Sequence, residues 1–90
     1  MANKRTLKKA INGICDELLT EAVAASLYGP ETHRDNAETL LFTIMKIEHE
    51  FISRVSHPEP GMSAKTYYKD LREKFKAQAS DVIDQINSFY

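Results

Sequence analysis

Residues 4–28, which read KRTLKKAINGICDELLTEAVAASLY, carry the pattern that decides the fold class. Apolar side chains recur there at spacings of three and four residues, as they do on one face of an α-helix. The positions that share this face are Leu7, Ala10, Ile11, Ile14, Leu18, Ala22 and Val23. We therefore predict a first helix over about residues 4–28, with its apolar face turned to a core.

One dipeptide interrupts this pattern, Asn12-Gly13, which in other settings forms the tight turn of a hairpin. It lies between Ile11 and Ile14, and no alternating strand-like segment flanks it. Three interpretations stay open. Gly13 is an ordinary helix residue that costs about 1 kcal/mol relative to alanine, or it marks the close approach of another helix, or it breaks the helix.

Glycine and proline divide the rest of the chain, because five of these six residues lie in residues 29–30 and 58–61. The second third, about residues 31–56, repeats the helical spacing with Ala37, Leu40, Leu41, Ile44, Ile47, Phe51, Ile52 and Val55. The last third, about residues 63–89, does so with Tyr67, Leu71, Phe75, Ala79, Val82, Ile83, Ile86 and Phe89. Because short connections favour antiparallel neighbours, we predict an all-α fold, an antiparallel up-down-up three-helix bundle forming one helical domain over residues 1–90.

The predicted helix ends rest on a few residues with defined backbone preferences. Gly29 suits the left-handed turn that ends a helix. The second helix begins either with Pro30 as its first residue or later, with Asp35 or Asn36 as its cap. Ser63 is expected to cap the third helix.

The composition excludes several classes of protein. A hydrophobic fraction of 42% is too high for a disordered chain, and a net charge of −1 gives no overall attraction to nucleic acid or acidic lipid. The single cysteine, Cys15, allows no intramolecular disulfide, which favours a reducing cytoplasmic location. The first residues lead into an amphipathic segment rather than an apolar run, which argues against a secretory signal or a membrane partner.

No pattern of catalytic or cofactor-binding residues is present. Residues 48–50 (Glu-His-Glu) and His57 lie near one another, but they lack the spacing of a di-iron or zinc-protease motif. Cys15 borders the apolar face, where we expect a buried and inert thiol. We predict no catalytic residue, no cofactor and no metal, and therefore a protein that is not an enzyme.

Charge is arranged along the predicted bundle. The starts of the first and third helices and the end of the second would meet at one end, where ten cations and five carboxylates give a net charge of +5. The opposite end has one cation and eight carboxylates, a net charge of −7. Either these charges solvate the two ends and attract neighbouring helices, or the basic end binds an anionic partner such as RNA, a nucleotide or an acidic protein. The second interpretation assigns that binding to Lys4, Arg5, Lys8, Lys9, Lys65, Lys69 and Arg72.

Residues 22–26, which read AVAAS, form a run of small side chains that exceeds one helix face. Part of this run is therefore expected to remain available to a second subunit, which is the basis of a homodimer hypothesis. The leading functional prediction is a non-enzymatic helical interaction module that binds a protein partner or itself. The alternative is an RNA- or DNA-binding accessory protein that uses the basic end.

Residues 5–15, RTLKKAINGIC, followed by residues 22–28, AVAASLY, resemble a family of short uncharacterised all-helical cytosolic proteins from anaerobic Gram-negative bacteria. The likeness covers mainly the first third of the chain. It implies a bacterial cytosolic protein. The family brings no established activity, so the resemblance assigns no functional residue.

Overall fold

Three long α-helices contain most of the residues that the structure describes. This computed structural model describes residues 4–89, so residues 1–3 and 90 of the predicted domain lie outside it. The helices are α1 (Lys4–Tyr28), α2 (Arg34–Ser56) and α3 (Ala64–Asn87), and a short 3₁₀ helix (Glu31–His33) precedes α2. No residue between 4 and 89 lies in a strand. The predicted all-α three-helix fold is confirmed.

Contacts between the helices show that neighbours run antiparallel. The ring of His33, just before α2, lies 5.9 Å from the ring of Phe89, just after α3. Further along, the rings of Phe51 and Phe75 lie 5.3 Å apart in an edge-to-face arrangement. The bundle is slender, with principal extents of 48 × 19 × 17 Å.

The core is apolar, and its closest contact is between α1 and α2. Small side chains permit that approach, since Cys15, Ala22 and Ala37 are fully buried and Ala25 nearly so. Within residues 4–89 no polar or charged residue is buried. The predicted apolar face of the first helix was too wide, because Ala10, Ile14 and Val23 are exposed. In the described part of the chain only two helices pack against α1, so only a narrow stripe of its surface is buried.

Two tyrosines of α3 bind carbonyl groups at the end of α2. The Tyr67 hydroxyl donates to the carbonyl of Arg54 at 2.9 Å and lies 3.2 Å from that of His57. The Tyr68 hydroxyl donates to the carbonyl of Val55 at 2.9 Å. The last carbonyls of a helix have no partner within the helix, so these hydroxyls satisfy them while joining α3 to α2. We call this pair of side chains the tyrosine clamp.

The start of α2 and the end of α3 differ from the prediction. α2 begins at Arg34, after the 3₁₀ turn, so Pro30 is not its first residue. Asp35 and Asn36 lie inside α2 and do not cap it, and the residue in the capping position, His33, donates its backbone N–H to the Pro30 carbonyl at 2.9 Å. α3 ends at Asn87 rather than residue 89.

The predicted cap of α3 is present. Ser63 accepts a hydrogen bond from the backbone N–H of Thr66 at 3.2 Å. The Ser63 hydroxyl in turn donates to the hydroxyl of Thr66 at 2.8 Å. The short polar side chain therefore satisfies one of the unpaired amides at the start of α3, as the sequence indicated.

The glycines at positions 13 and 29 have different roles. The predicted left-handed turn at Gly29 is wrong, because Gly29 does not have a positive φ. Between residues 4 and 89 only Gly61 does, with φ of 85°. Instead the Gly29 N–H donates to the Ala25 carbonyl at 3.0 Å, and a Cβ at position 29 would lie 2.5 Å from that oxygen. Gly13 lies within continuous helix with nothing within 4 Å of an added Cβ, so it neither breaks α1 nor marks a close approach.

Alanine substitutions at these two glycines should therefore change stability in opposite directions. Gly13→Ala should raise the free energy of unfolding by about 0.5–1 kcal/mol, because alanine loses less backbone entropy in a helix. Gly29→Ala should lower it by about 1–3 kcal/mol, because the new methyl group meets a backbone oxygen that cannot easily move. Urea denaturation of both variants beside the wild type measures the two changes. Shifts of the same sign would contradict this account of the helix junction.

Candidate interaction surfaces

The structure brings the predicted cationic residues to one end of the molecule, since α1 and α3 both begin where α2 ends. Of the seven, Lys8 is half-buried and the other six are exposed. The ion pairs between residues 4 and 89 lie elsewhere on this half, Arg54 with Glu50 at 2.6 Å and Lys74 with Asp70 at 3.0 Å. The seven predicted cations are therefore not neutralised by ion pairs within the described part of the chain.

These cations do not form a single patch. On α1 they are adjacent pairs, 4–5 and 8–9, and adjacent residues of a helix point about 100° apart. On α3 the spacing is different, because Lys65, Lys69 and Arg72 recur every three or four residues along one side. Lys76 continues that row and is also exposed, yet the sequence analysis left it out of the predicted set. We call these four α3 residues the cationic stripe.

A second surface is apolar and lies on the side of α2 away from α3. Asn36 and Arg54 line clefts that α2 shares with residues of α3. Met45 is nine residues from each of them, which is two and a half helical turns, so it lies on the opposite side of α2. Its side chain is 54% exposed, and that of Phe42, one turn earlier, is 73% exposed.

A ridge of α1 borders this side of α2. The ridge begins at Cys15, whose thiol is close enough to Glu48 of α2 for the two to interact electrostatically. Because Glu48 lies one turn after Met45, this part of α1 is next to the apolar side of α2. From Cys15 the ridge continues every four residues through Leu19 and Val23 to Leu27, which is 64% exposed.

The exposed and half-buried apolar residues on these sides of the two helices make up the surface that we call the outer apolar face. Its members are Leu19, Val23, Leu27, Leu41, Phe42, Met45 and Ile52. Four of the seven large exposed hydrophobic residues between positions 4 and 89 belong to it; the others are Ile14, Tyr28 and Ile83. In the sequence, Val23, Leu41 and Ile52 were assigned to the core, and Phe42 and Met45 were overlooked. The sequence does contain a signal for this face. Positions 41, 42 and 45 are all apolar, which is more apolar residues than a single buried stripe of the helix requires.

The run of small residues at 22–26 is divided between the core and this surface. Ala22 and Ala25 are buried, Ala24 and Ser26 are half-buried, and Val23 is 42% exposed. As predicted, part of the run remains exposed. The exposed part adds to the outer apolar face rather than forming a separate site.

A shallow cleft of about 300 Å³ lies between α2 and α3 at the basic end. Its lining residues are Arg54, Glu59, Met62, Tyr67, Asp70, Leu71 and Lys74. Three of the four charged residues in it are already engaged, since Lys74 pairs with Asp70 and Arg54 pairs with Glu50. The lining includes no serine, cysteine or histidine, so the cleft has no Ser–His or Cys–His pair.

The thiol of Cys15 is buried, as predicted. Burial, together with the nearby carboxylates of Glu48 and Asp16, raises its pKa from 9.0 to about 11. The thiolate, which is the reactive form, is therefore disfavoured at neutral pH.

This raised pKa predicts a loss of stability at alkaline pH. Below pH 9 the folded and unfolded chains both hold the thiol proton, but between about pH 9 and 11 the unfolded chain loses it first. The free energy of unfolding should then fall with rising pH, by an amount on the order of 2 kcal/mol. The measurement is the difference between wild type and Cys15→Ala in urea denaturation at each pH, so that changes common to both proteins cancel. A constant difference from pH 8 to 11 would show that burial does not hold the proton on the thiol.

The histidines, cysteine, aspartates and glutamates of residues 4–89 include no group of three or more that could hold a metal ion. His57 instead lies with its Nδ1 2.8 Å from the Ser53 carbonyl.

None of the three helices combines the length and apolar character needed to cross a membrane, over the residues described. No family model, no curated protein and no solved structure matches this chain.

Proposed function

We propose that this protein is a non-enzymatic helical interaction module that binds a protein partner through the outer apolar face. The observation that carries the proposal is the exposure of Phe42 and Met45, 73% and 54%, beside further apolar side chains of α1. Single exposed hydrophobic residues are common on monomers, but a contiguous group on two neighbouring helices is typical of an interface. Each Å² of apolar surface removed from water stabilises a complex by about 25 cal/mol before the costs of association.

The face is also held rigidly, which favours binding. Leu19, Leu41 and Ile52 are half-buried against the core and support the more exposed residues beside them. α1 and α2 pack on each other along their length, so the face loses little conformational entropy when a partner docks. Phenylalanine and methionine are also enriched at protein interfaces.

The cationic stripe favours the second candidate, an RNA- or DNA-binding accessory protein. Four cations recur along eleven residues of α3, about 17 Å at 1.5 Å per residue. None of them is neutralised by an ion pair within residues 4–89. Such a row can follow a phosphate backbone, although the net charge of −1 adds no long-range attraction.

The proposal includes a bacterial cytosolic location. Its support is the free, buried state of Cys15, which suits a reducing compartment, together with the resemblance of residues 5–15 and 22–28.

Photo-crosslinking in cells tests the protein-binding proposal. Benzoylphenylalanine in place of Phe42 should yield covalent adducts with another polypeptide chain on irradiation, because the ring of residue 42 would lie inside the interface. The matched control replaces Tyr28, an aromatic residue that is 83% exposed and lies outside the outer apolar face. Equal adduct yields at the two positions, or none at position 42, would contradict the proposal.

Salt-dependent binding of mixed-sequence oligonucleotides tests the second candidate. Binding measured by fluorescence anisotropy should weaken steeply with salt, and the triple variant Lys65→Gln, Lys69→Gln, Arg72→Gln should flatten that dependence by about two to three counterions. Lys46→Gln, an exposed cation outside the stripe, is the control for net charge. Absence of binding at low ionic strength removes this candidate.

A further inference from the structure

We propose that the partner of the outer apolar face is a second copy of this chain, packed antiparallel, so that the basic end of each copy lies against the acidic end of the other. The inference rests on the proposed function and names the partner of that surface. It is carried by the charge distribution along the same 48 Å axis on which the face lies.

The two ends of the molecule are complementary to each other. On the α1–α2 side the basic end presents Arg5 and Lys9, and the acidic end presents Asp35 and Glu38, all four exposed. With net charges of +5 and −7 at the two ends, a parallel pair would place like charges together at both ends. An antiparallel pair places opposite charges together at both of its ends. Complementary charge of this kind selects the orientation of an interface and suppresses the wrong one.

The position of the exposed residues agrees with a twofold axis at mid-length. Met45 is the middle residue of α2, whose bounds are Arg34 and Ser56. A twofold axis perpendicular to α2 near Met45 would bring Met45 next to its counterpart in the second copy, with the two Phe42 side chains about one turn away on either side of the axis. The α1–α2 pairs of the two copies would then pack face to face as two layers of two helices, with each α3 on the outside.

The size of the molecule allows such an interface. A stable interface takes about 800 Å² from each partner, and one whole side of the molecule, 48 by 19 Å, has a footprint on the order of 900 Å², so the dimer contact would extend over nearly all of that side. Apolar residues occupy most of the centre of the face, where Glu48 is half-buried one turn from Met45, and exposed charged residues lie towards its ends, which resembles the usual arrangement of core and rim.

The first experiment measures mass by sedimentation equilibrium of the full chain over a range of concentrations. The wild type should form dimers, and dissociation should become at least about tenfold easier between roughly 50 and 500 mM salt, because salt screens the charged ends. Met45→Glu should weaken the dimer more than about thirtyfold with an unchanged helical circular dichroism spectrum, since it buries a charge at the centre. The control is Ile83→Glu, at an exposed apolar residue of α3 outside the face, which should leave the dimer intact.

A second experiment determines the orientation. Arg34 and Ser56 are exposed and twenty-two residues apart, about six turns, so they lie on one side of α2, each eleven residues from Met45. Arg34→Cys and Ser56→Cys chains are mixed and oxidised, while the buried Cys15 remains protected. An antiparallel dimer should give mainly the mixed disulfide between the two variants.

Three outcomes overturn the inference: a wild type that is monomeric throughout, a dimer that Ile83→Glu disrupts as strongly as Met45→Glu, or disulfides that join only like variants or fail to form. A monomeric wild type together with adducts to a different protein from position 42 would leave the proposed function standing. Absence of any adduct from position 42 would remove both.

Discussion

The close packing of α1 on α2 is the contact on which the other features depend. It is possible because the contact residues are small: a cysteine and three alanines, Cys15, Ala22, Ala25 and Ala37, lie in the core where larger side chains would separate the helices. Two helices packed this closely have little room between them for large side chains, so bulky apolar residues beyond the narrow core stripe remain at the surface. The same contact therefore accounts for both the buried stripe and the outer apolar face.

The charges contribute little to the stability of the individual helices. α1 begins with four cations among its first six residues, where the helix dipole favours anions, and α3 has no acidic residue in its first turn. Each unfavourable placement at an exposed site costs only about 0.3–1 kcal/mol, which the apolar core easily exceeds. The charges at the starts of α1 and α3 are thus not explained by the dipoles, whereas those of α2, with Asp35 in its first turn and Arg54 in its last, follow them.

The fold was predictable from the sequence because apolar periodicity and the clusters of glycine and proline both divide the chain into three helices. The Ser63 cap was predictable as well, since its side chain acts on its own neighbours in sequence. The second helix began between the two starts that the sequence left open, because a 3₁₀ turn, which has no strong sequence signal, occupies residues 31–33. The outer apolar face was missed because exposure depends on how many helices surround a residue, and periodicity cannot tell a covered stripe from a neighbouring uncovered one. The tyrosine clamp was missed because its acceptors are backbone carbonyls ten to thirteen residues away.

The tyrosine clamp has a consequence for how many neighbours one molecule can take. Each of its hydroxyl bonds contributes about 1 kcal/mol net and ties α3 to the end of α2. An α1–α2 hairpin without α3 would expose apolar surface on two opposite sides and could stack without limit into open arrays. With α3 fastened across one side, only one apolar side remains, so the proposed association of two copies would close as a pair and would not continue into an array.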